Sequence, residues 1–516
     1  MQSTSRLELK RQAGELCNAY EHFTIFFPKT YDRLQITNKF ESRLFKEQAL
    51  FLSKKRCFYR KKCEYYIKTV LILIRRSFLK PFSFSQFMQI PDMDLCNWMP
   101  PLPTTGQFVD IPDNLSEISV FDSSEEVDPV DVGMTANDIQ MIWEGVENYY
   151  KTGVHPAIAL CLRKQGKIVI KRTIGHALGN VKGDPETQKI IMRPEMPICQ
   201  FSASKAVTAM LIHHLSEKGK IHLTDPVCYY IPEFAAHGKE DVTIHHVLSH
   251  RSGFGIIPDN IDTDVLFDHD DAVKMICDMK PQYPAGHTAS YHAITGGYIL
   301  HEILRKVTGK DLREYLKETI QEPLGFKYFN YGMAEDEVHT VAKSYYTGLP
   351  VVFPFTMIIR RSLGGPWDMV IKMANDPRFF KSIIPSANLV CTVDEMCQFF
   401  QMLLNGGELN DVRIFDPLTV RRATIEAGKM QLDKSMVLLP MRYSAGLMLG
   451  SDPFGMFGPY SKNAFGHWGF INSFSWADPD RDIAVSMLNT GKPFLTTHLV
   501  SHFDLLTRIG RHCKKD

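Results

Sequence analysis

Ser202 and Lys205 stand three residues apart, a spacing that could activate a serine hydroxyl without a histidine. In a helix, side chains three positions apart share one face about 5–6 Å from each other, so the lysine amine can reach the serine oxygen. The apolar residues that follow recur at helical spacing, which predicts that Ser202 lies at the amino end of an amphipathic helix. Free backbone N–H groups and the positive end of the helix dipole favour an oxyanion there. The pair therefore predicts a nucleophilic serine.

The Ser-x-x-Lys spacing alone is weak evidence, because a chain rich in both residues contains it by chance. Ser77 and Lys80 have the same spacing, but Pro81 follows them and blocks a continuing helix. A lone serine at the start of a helix can equally be an N-cap. Further residues are needed to support the catalytic interpretation.

Six short segments occur in an order that resembles the serine β-lactamase and penicillin-binding-protein superfamily, in particular its class C β-lactamase branch and the related family VIII-type esterases. The Ser-x-x-Lys signature belongs to that superfamily. The resemblance covers about residues 135–510 and implies the β-lactamase/transpeptidase-like fold. In chain order the segments are Ser202-Ala203-Ser204-Lys205, Leu248-Ser249-His250-Arg251-Ser252-Gly253, Pro284-Ala285-Gly286 leading to Tyr291, Glu322-Pro323-Leu324-Gly325, Asn405-Gly406-Gly407 and His467-Trp468-Gly469.

The resemblance implies a role for each matching residue. Ser202 would be the nucleophile, Lys205 its partner, and Tyr291 the group that exchanges protons with the serine and the leaving group. The oxyanion hole would consist of the backbone N–H groups of Ser202 and Phe470. The remaining residues implied to line the substrate site are His292, His467, Trp468 and Gly469.

The lysine and the tyrosine both need shifted pKa values to act near neutral pH. Both titrate near pH 10 when unperturbed, so bringing either pKa to about 7 takes roughly 3 units, or about 4 kcal/mol. Desolvation of Lys205 would favour its neutral amine, and a nearby ammonium would favour a Tyr291 phenolate. We expect the two groups to titrate as a coupled pair.

Two departures from the β-lactamase pattern concern the substrate. The Tyr-x-Asn segment is Tyr291-His292-Ala293 here, so the amide that would bind a substrate carbonyl is missing. The Lys-Thr-Gly segment is His467-Trp468-Gly469, and a histidine with a pKa of about 6.5 is mostly neutral at pH 7. Carboxylate recognition should suffer, which favours neutral esters. We expect the acyl pocket to be built by the helical insertion, including residues 353–384.

The leading hypothesis is a serine hydrolase that acts through an acyl-enzyme on small-molecule carboxylic esters, with no cofactor and no metal. Two related activities remain open: amide hydrolysis of the β-lactamase or D-alanyl peptidase kind, and acyl transfer to an alcohol or amine. An inactive scaffold that assembles or docks through its fold is the alternative of a different class, because a fold does not imply an activity. The sequence does not predict an oligomeric state.

Several histidines resemble metal ligands, including the pairs at 213–214 and 245–246. His246 and His250 have i, i+4 spacing, but no H-E-x-x-H arrangement accompanies them, and His301-Glu302 lacks a second histidine. We therefore expect core or surface histidines. The positive charge of residues 1–80 belongs to no recognisable nucleic-acid-binding module, so we expect no nucleic acid partner.

Hydrophobic periodicity predicts how the chain positions these residues. Thr135 and Asp138 resemble a capping pair at the start of a helix, and Thr392 and Glu395 resemble another. Strands at both ends of the domain with helices between them predict an α/β (α+β) fold, with one antiparallel sheet flanked by helices and a helical insertion at about 221–407. The expected strands are Ala157–Leu162, Ile168–Ile174, Ser444–Leu449, Ser473–Ala477 and Ile483–Leu488, followed by a closing helix at about Thr496–Ile509.

Charge marks the domain boundaries. Residues 1–80 hold 18 Lys and Arg against 7 Asp and Glu, whereas residues 81–150 hold 13 Asp and Glu and no basic residue. We therefore predict a basic, mostly helical extension at 1–100, an acidic, Pro-rich linker at 101–134 and the catalytic domain at 135–516.

The amino-terminal region shows no secretory signal, and no apolar run approaches the roughly 20 residues that span a bilayer. Eleven cysteines without C-x-x-C pairs fit a reducing compartment. These features predict a cytoplasmic protein. The apolar, basic stretch within residues 1–80 could contact an anionic membrane peripherally; a solvated helical extension is the alternative.

Overall fold

The computed structural model describes residues 108–121, 123–181, 188–257, 263–352, 355–436, 439–470, 472–494 and 498–515. The basic extension at 1–100, with its predicted helices and membrane contact, lies outside these ranges.

The strands of the described residues all pair in antiparallel fashion. In chain order they are β1 (Ser119–Phe121), β2 (Ala157–Lys164), β3 (Lys167–Leu178), β4 (Ile190–Ile191), β5 (Ile198–Cys199), β6 (Asn330–Tyr331), β7 (Leu389–Cys391), β8 (Glu408–Leu409), β9 (Val412–Arg413), β10 (Gln431–Leu432), β11 (Pro440–Met441), β12 (Met448–Leu449), β13 (Phe454–Gly455), β14 (Gly458–Pro459), β15 (Phe465–Trp468), β16 (Phe474–Asp478) and β17 (Ile483–Asn489).

The helices lie mostly between β5 and β10 along the chain. They are α1 (Ala136–Tyr150), α2 (Ser204–Glu217), α3 (Val227–Tyr230), α4 (Ile244–Leu248), α5 (His269–Asp278), α6 (Thr295–Thr308), α7 (Leu312–Leu316), α8 (Glu322–Leu324), α9 (Phe355–Leu363), α10 (Trp367–Met373), α11 (Pro377–Lys381), α12 (Val393–Leu404), α13 (Pro417–Thr424) and α14 (His498–His512).

The main sheet has the order β1-β3-β2-β17-β16-β15-β12, with β4 paired to β3. The early hairpin and the late strands meet where β2 pairs with β17, so both ends of the domain complete one sheet, as the sequence predicts. Every residue of β17 is buried, which fits a central strand covered on both faces. A second, small sheet with the order β5-β7-β6 lies at the chain segment that leads to Ser202.

Alternate residues of β2 enter two different cores, because successive side chains of a strand point to opposite faces. Ile158, Leu160 and Leu162 pack with α1 and α14. Ala157 and its alternates belong to the larger core, which contains α2 and α12. The sheet is therefore sandwiched between two helical layers, and the small side chains on one face let α12 pack closely.

Both predicted capping boxes are confirmed. The Thr135 hydroxyl accepts the N–H of Asp138 at 3.2 Å, and the Asp138 carboxylate accepts the N–H of Thr135 at 2.8 Å. Thr392 and Glu395 form the same reciprocal pair at the start of α12. These contacts satisfy backbone donors that a helix start otherwise leaves free.

The predicted strand Ser444–Leu449 is shorter in the structure, where only Met448 and Leu449 pair with β15. The preceding residues form a turn, in which Ser444 N–H donates to the Leu447 carbonyl at 2.9 Å. Gly446 makes this turn possible, since its φ is +119° and a Cβ there would lie 2.2 Å from Ala209 Cβ.

The described part of the predicted linker is built into the domain. β1 pairs with β3 at the edge of the main sheet. The neighbouring acidic residues bind basic residues of β3: Glu125 lies 2.7 Å from Lys171, and Glu126 lies 2.6 Å from Arg172. β1, Glu125 and Glu126 thus lie along β3, whose basic side chains they meet with opposite charge.

In the ranges described, no helix combines the length and apolarity needed to cross a bilayer. The cysteines described there carry free thiols.

Candidate active site

Ser202 lies in a single 3-10 turn, Phe201–Ala203, that leads into α2. The α-helix therefore starts two residues later than the serine. Phe201 has a φ of +47°, a left-handed conformation that costs a bulky residue about 1–3 kcal/mol and that clusters at functional sites. The Gln200 N–H donates to the Leu389 carbonyl at 2.8 Å, which ties this strained turn to the small sheet.

The Lys205 side chain reaches the serine hydroxyl. Its Nζ donates to Ser202 Oγ at 2.9 Å and to the Ser386 carbonyl at 3.0 Å. The side chain is buried, and burial lowers the pKa of Lys205 well below its ordinary value of 10.5. No carboxylate within the described residues forms a salt bridge with it. A neutral amine is therefore favoured at hydrogen-bond distance from the serine hydroxyl.

Tyr291 completes the group. Lys205 Nζ lies 4.9 Å from the centre of its ring. Burial raises the pKa of the phenol well above 10, and a hydrogen bond with the Ser202 side chain opposes that shift only in part. Of the two effects weighed for this pair, desolvation dominates over the attraction between an ammonium and a phenolate, because burial penalises both charged forms. The structure instead favours a neutral amine beside a neutral phenol.

The buried carboxylate of Asp433 positions Tyr291 through its backbone. Asp433 Oδ1 accepts the backbone N–H of Tyr291 at 3.1 Å, and Asp433 Oδ2 accepts the hydroxyl of Tyr443 at 2.9 Å. The ring of His250 packs 4.7 Å from the Tyr291 ring, and its Nδ1 accepts the His292 N–H at 3.2 Å. These contacts fix the loop that carries Tyr291.

The end of β15 lies against the nucleophile turn. The Gly469 N–H donates to the Ser473 carbonyl at 2.8 Å, and a Cβ on Gly469 would lie 2.9 Å from the Gln200 carbonyl oxygen. A larger residue would push the strand away from the turn. Beyond it, the ring of Phe470 lies 5.2 Å from the ring of Phe201. Phe470 and Ser202 therefore line the same cavity.

His467 faces this group from β15. Its ring lies 6.1 Å from the Tyr291 ring, and its Nδ1–H donates to the Trp468 carbonyl at 2.6 Å. Burial, together with nearby Lys205, lowers the pKa of His467 to about 3. The imidazole is neutral at physiological pH, and so it offers no positive charge to a substrate carboxylate.

Two residues expected in the substrate site lie behind it. The His292 side chain is fully buried, with Nε2 2.7 Å from Ser252 Oγ and its ring stacked 5.0 Å from Phe254. Trp468 follows His467 on β15, and successive side chains of a strand face opposite sides. Its ring therefore points away from the side that His467 faces and packs 4.9 Å from Phe474, its partner on β16. Neither side chain lines the cavity that contains Ser202. His292 instead lines a smaller space together with Lys205 and His250.

The cavity at Ser202 is small and apolar, with a volume of about 40 Å³. Residues 353–384, the segment expected to build the acyl pocket, contribute Leu363, Val370, Met373, Phe379 and Ile384 to its lining. A second cavity of about 560 Å³ lies beyond α10. Its lining is mixed: the apolar part includes Tyr345, Tyr346, Ile359, Trp367 and Ile371, and the polar part includes Lys343, Asp368, Lys372 and Asn375. Trp367 stacks on Phe470 at 4.5 Å and separates the two spaces.

Sequence reasoning missed several residues that hold the site. Asp433 lies in a loop with no recognisable motif, so nothing in the sequence points to its contact with Tyr291. His250 stands in one of the quoted segments, but we considered it only as a metal ligand. Phe201 adjoins the nucleophile, and its positive φ arises only from packing between distant elements.

Several of the other candidate metal ligands have protein partners: His214 Nδ1 lies 2.9 Å from the Tyr315 hydroxyl, and His246 Nδ1 accepts the Thr243 N–H at 3.3 Å. His213 Nε2 lies 2.8 Å from the Ala445 carbonyl oxygen. One cluster in the described ranges, His269 with Asp270 and Glu302, has its ligand atoms close together. Arg305 already contacts both carboxylates of that cluster, at 2.7 and 3.2 Å.

Comparison with known proteins agrees with this geometry. The sequence profile of the Beta-lactamase family matches residues 145–500, more than two thirds of the chain. The chain belongs to the Beta-lactamase family. Its chemical class is therefore that of the serine hydrolases, and its fold is that of the β-lactamases and transpeptidases.

Individual relatives are distant. The chain is 27% identical to Esterase/beta-lactamase LipL of Mycobacterium tuberculosis over 300 residues, which cover 56% of this chain and 68% of LipL. A penicillin-binding protein homologue from Caulobacter crescentus superposes with a TM-score of 0.63 at 26% identity, covering 74% of this chain and 99% of the homologue. A family VIII carboxylesterase superposes with a TM-score of 0.61, also at 26% identity, covering 72% of this chain and 98% of the esterase.

Proposed function

We propose that this protein is a carboxylesterase that forms an acyl-enzyme at Ser202. The observation that carries the proposal is the 2.9 Å contact between Lys205 Nζ and Ser202 Oγ, at a buried position with Tyr291 alongside. A desolvated amine there is a base, and the serine oxygen is the nearest proton donor that it can deprotonate.

The chemistry follows from these positions. Neutral Lys205 accepts the proton of Ser202 as the hydroxyl oxygen attacks the ester carbonyl. The backbone N–H groups of Ser202 and Phe470 stabilise the oxyanion of the tetrahedral intermediate. Tyr291, still protonated, donates its proton to the departing alkoxide and regains one from the lysine. Water then attacks the acyl-enzyme with the same groups acting in reverse.

Three features support esters over β-lactams. His467 is neutral where the β-lactamase pattern has a lysine, so the carboxylate of a penicillin lacks its partner. Ala293 replaces the asparagine that would bind a substrate amide. The cavity at Ser202 is lined almost wholly by apolar side chains, which suits a plain acyl group.

Turnover of p-nitrophenyl acetate and butyrate, with a chromogenic cephalosporin in the same panel, tests this proposal. We expect ester turnover well above cephalosporin turnover. Ser202→Ala should lower ester kcat by about 10⁴-fold or more, since removing the nucleophile disables the whole catalytic group. Ser216→Ala, on the same helix but away from the site, serves as the matched control and should leave kcat within about twofold.

A fluorophosphonate probe separates an enzyme from an inactive scaffold, because it labels only an activated serine. We expect one adduct, on Ser202, and none on the Ser202→Ala variant. Folded wild-type protein that neither labels nor hydrolyses any ester would reject the proposal in favour of the scaffold. Faster cephalosporin than ester turnover would reject the ester preference alone.

A further inference from the structure

Lys492 is a second fully buried lysine near the site, and the chemistry above does not use it. It follows β17, and its Nζ donates to the Asn489 carbonyl at 2.6 Å and to Asn489 Oδ1 at 3.3 Å. No carboxylate in the described ranges forms a salt bridge with it. Burial lowers the pKa of Lys492 to about 7, so the neutral amine and the ammonium are both present near neutral pH, and either form donates hydrogen bonds to Asn489.

Lys492 also contacts Phe201, the residue before the nucleophile. Lys492 Nζ lies 4.9 Å from the centre of the Phe201 ring, within the range of a cation–π contact. The contact lies at the residue whose backbone is left-handed, with a φ of +47°. Lys492 therefore holds the strained residue that orients the N–H of Ser202.

A second route leads from Lys492 to the loop after Phe470. Asn489 Nδ2 donates to the Asn472 carbonyl at 2.6 Å, and the Asn489 N–H donates to Ser473 Oγ at 3.2 Å. The Ser473 carbonyl in turn accepts the Gly469 N–H. The side chain that binds the lysine thus also fixes both ends of the loop that carries Phe470.

A third route runs through the backbone of the lysine. The Lys492 carbonyl accepts the indole N–H of Trp367 at 3.0 Å, and the Trp367 ring stacks on Phe470. The three routes converge on the residues next to the two proposed oxyanion-hole donors. Phe201 precedes one donor, and Phe470 supplies the other.

We propose that Lys492 is a positioning residue that sets the two backbone N–H groups of the oxyanion hole, acting through Phe201 on one side and through Asn489 and Trp367 on the other. The inference rests on the proposed acyl-enzyme function.

The test replaces Lys492 by methionine, which nearly keeps the length of the side chain and removes its hydrogen bonds to Asn489. We expect ester kcat to fall by about 10- to 100-fold with KM changed less than about threefold, because the oxyanion hole acts on the transition state. The rate constant of fluorophosphonate labelling should fall in parallel, since the phosphoryl oxygen occupies the same hole.

Lys239→Met is the matched control. Lys239 is equally buried, donates to three backbone carbonyls and lies 5.3 Å from the Phe234 ring, remote from the site. It should lower the melting temperature but leave kcat and labelling within about twofold. Lys492→Gln, which retains a donor for Asn489 without the charge, provides a second variant in case the methionine variant does not fold.

The outcomes are distinct. Equal kcat and labelling rates in the folded Lys492 variants and the Lys239 control would overturn the role of Lys492 and leave the esterase proposal intact. A wild-type protein that labels at Ser202 but hydrolyses no ester would reject the esterase, while the labelling rates would still test Lys492. A loss confined to KM would also overturn the inference.

Discussion

At the scale of single residues, the geometry around Ser202 depends on burial more than on charge pairing. Lys205 contacts a hydroxyl and a carbonyl oxygen, and its position is too buried to favour an ammonium. Tyr291 experiences the same burial, which moves its pKa in the opposite direction. Desolvation thus provides a base and an acid at neutral pH from two groups that both ordinarily titrate near pH 10.

This arrangement predicts the pH dependence of the reaction. The lowered pKa of Lys205 means that kcat/KM should rise with pH through that value and then reach a plateau well below pH 10.5. The raised pKa of Tyr291 should preserve the plateau to about pH 10, since the phenol keeps its proton. Measurement of kcat/KM from pH 5 to 10 checks both limbs. A rate still climbing at pH 9 to 10 would contradict a desolvated lysine base.

At the scale of elements, α9 and α10 divide the space beside the nucleophile. Leu363 and Val370 face the small cavity at Ser202, whereas Ile359 and Ile371 face the larger one. Val370 and Ile371 are neighbours on α10 and point to different sides, so this one helix lines both cavities and separates them. The indole of Trp367 closes the gap between them by stacking on Phe470.

Trp367→Leu should extend the acyl specificity. The smaller side chain would join the two cavities, and each additional buried methylene contributes about 0.8 kcal/mol. We expect the ratio of kcat/KM for octanoate over butyrate esters to rise at least about tenfold relative to wild type. The ratio compares two substrates on one variant, so a general loss of activity affects both substrates and leaves the ratio unchanged.

Leu418→Ala, at an exposed position on α13, is the control and should leave the ratio as in wild type. An unchanged ratio for Trp367→Leu would show that Trp367 does not limit the length of the acyl chain.

At the scale of the whole molecule, a cluster of neutral histidines lies between the sheet and its outer helical layer. His155 precedes β2, while His498 and His502 lie one turn apart on α14, and all three surround Tyr149 at ring distances of 4.5 to 6.4 Å. Burial lowers the pKa of His498 and of His502 to about 3 and that of His155 well below 6.5. Folding therefore favours the uncharged form of each of these rings.

Acid should loosen this layer. Unfolded histidines take up protons near pH 6.5 while the folded ones do not, so stability is full above that pH and falls as the pH drops toward 3. Each buried histidine contributes about 1 kcal/mol per pH unit to the slope between pH 6 and 5. His502→Leu should reduce that slope of the unfolding free energy, whereas His222→Gln, at an exposed position, should not. Equal slopes in the two variants would contradict a neutral His502.

Local patterns predicted much of the fold. The two capping boxes, the β2–β3 hairpin and the strands at the carboxyl end depend on contacts between near neighbours, and residue spacing reveals those directly. The turn at Gly446 and the edge strand β1 were not predictable, because each depends on a distant partner. The site also combines local and distant contacts. Ser202 and Lys205 are three residues apart, so their contact was predictable, but the position of Tyr291 depends on a hydrogen bond to Asp433, 142 residues away.

The sequence by itself determined the family, the order of the motifs and the pairing of a serine with a lysine, since spacing along a helix places those two side chains together. Only the tertiary structure decided which groups are charged and which are close to the oxyanion hole. Segments that are far apart in the chain pack together and exclude water from a shared interior. That packing causes the desolvation, the left-handed turn at Phe201 and the approach of Lys492, and the spacing of residues along the chain does not predict it.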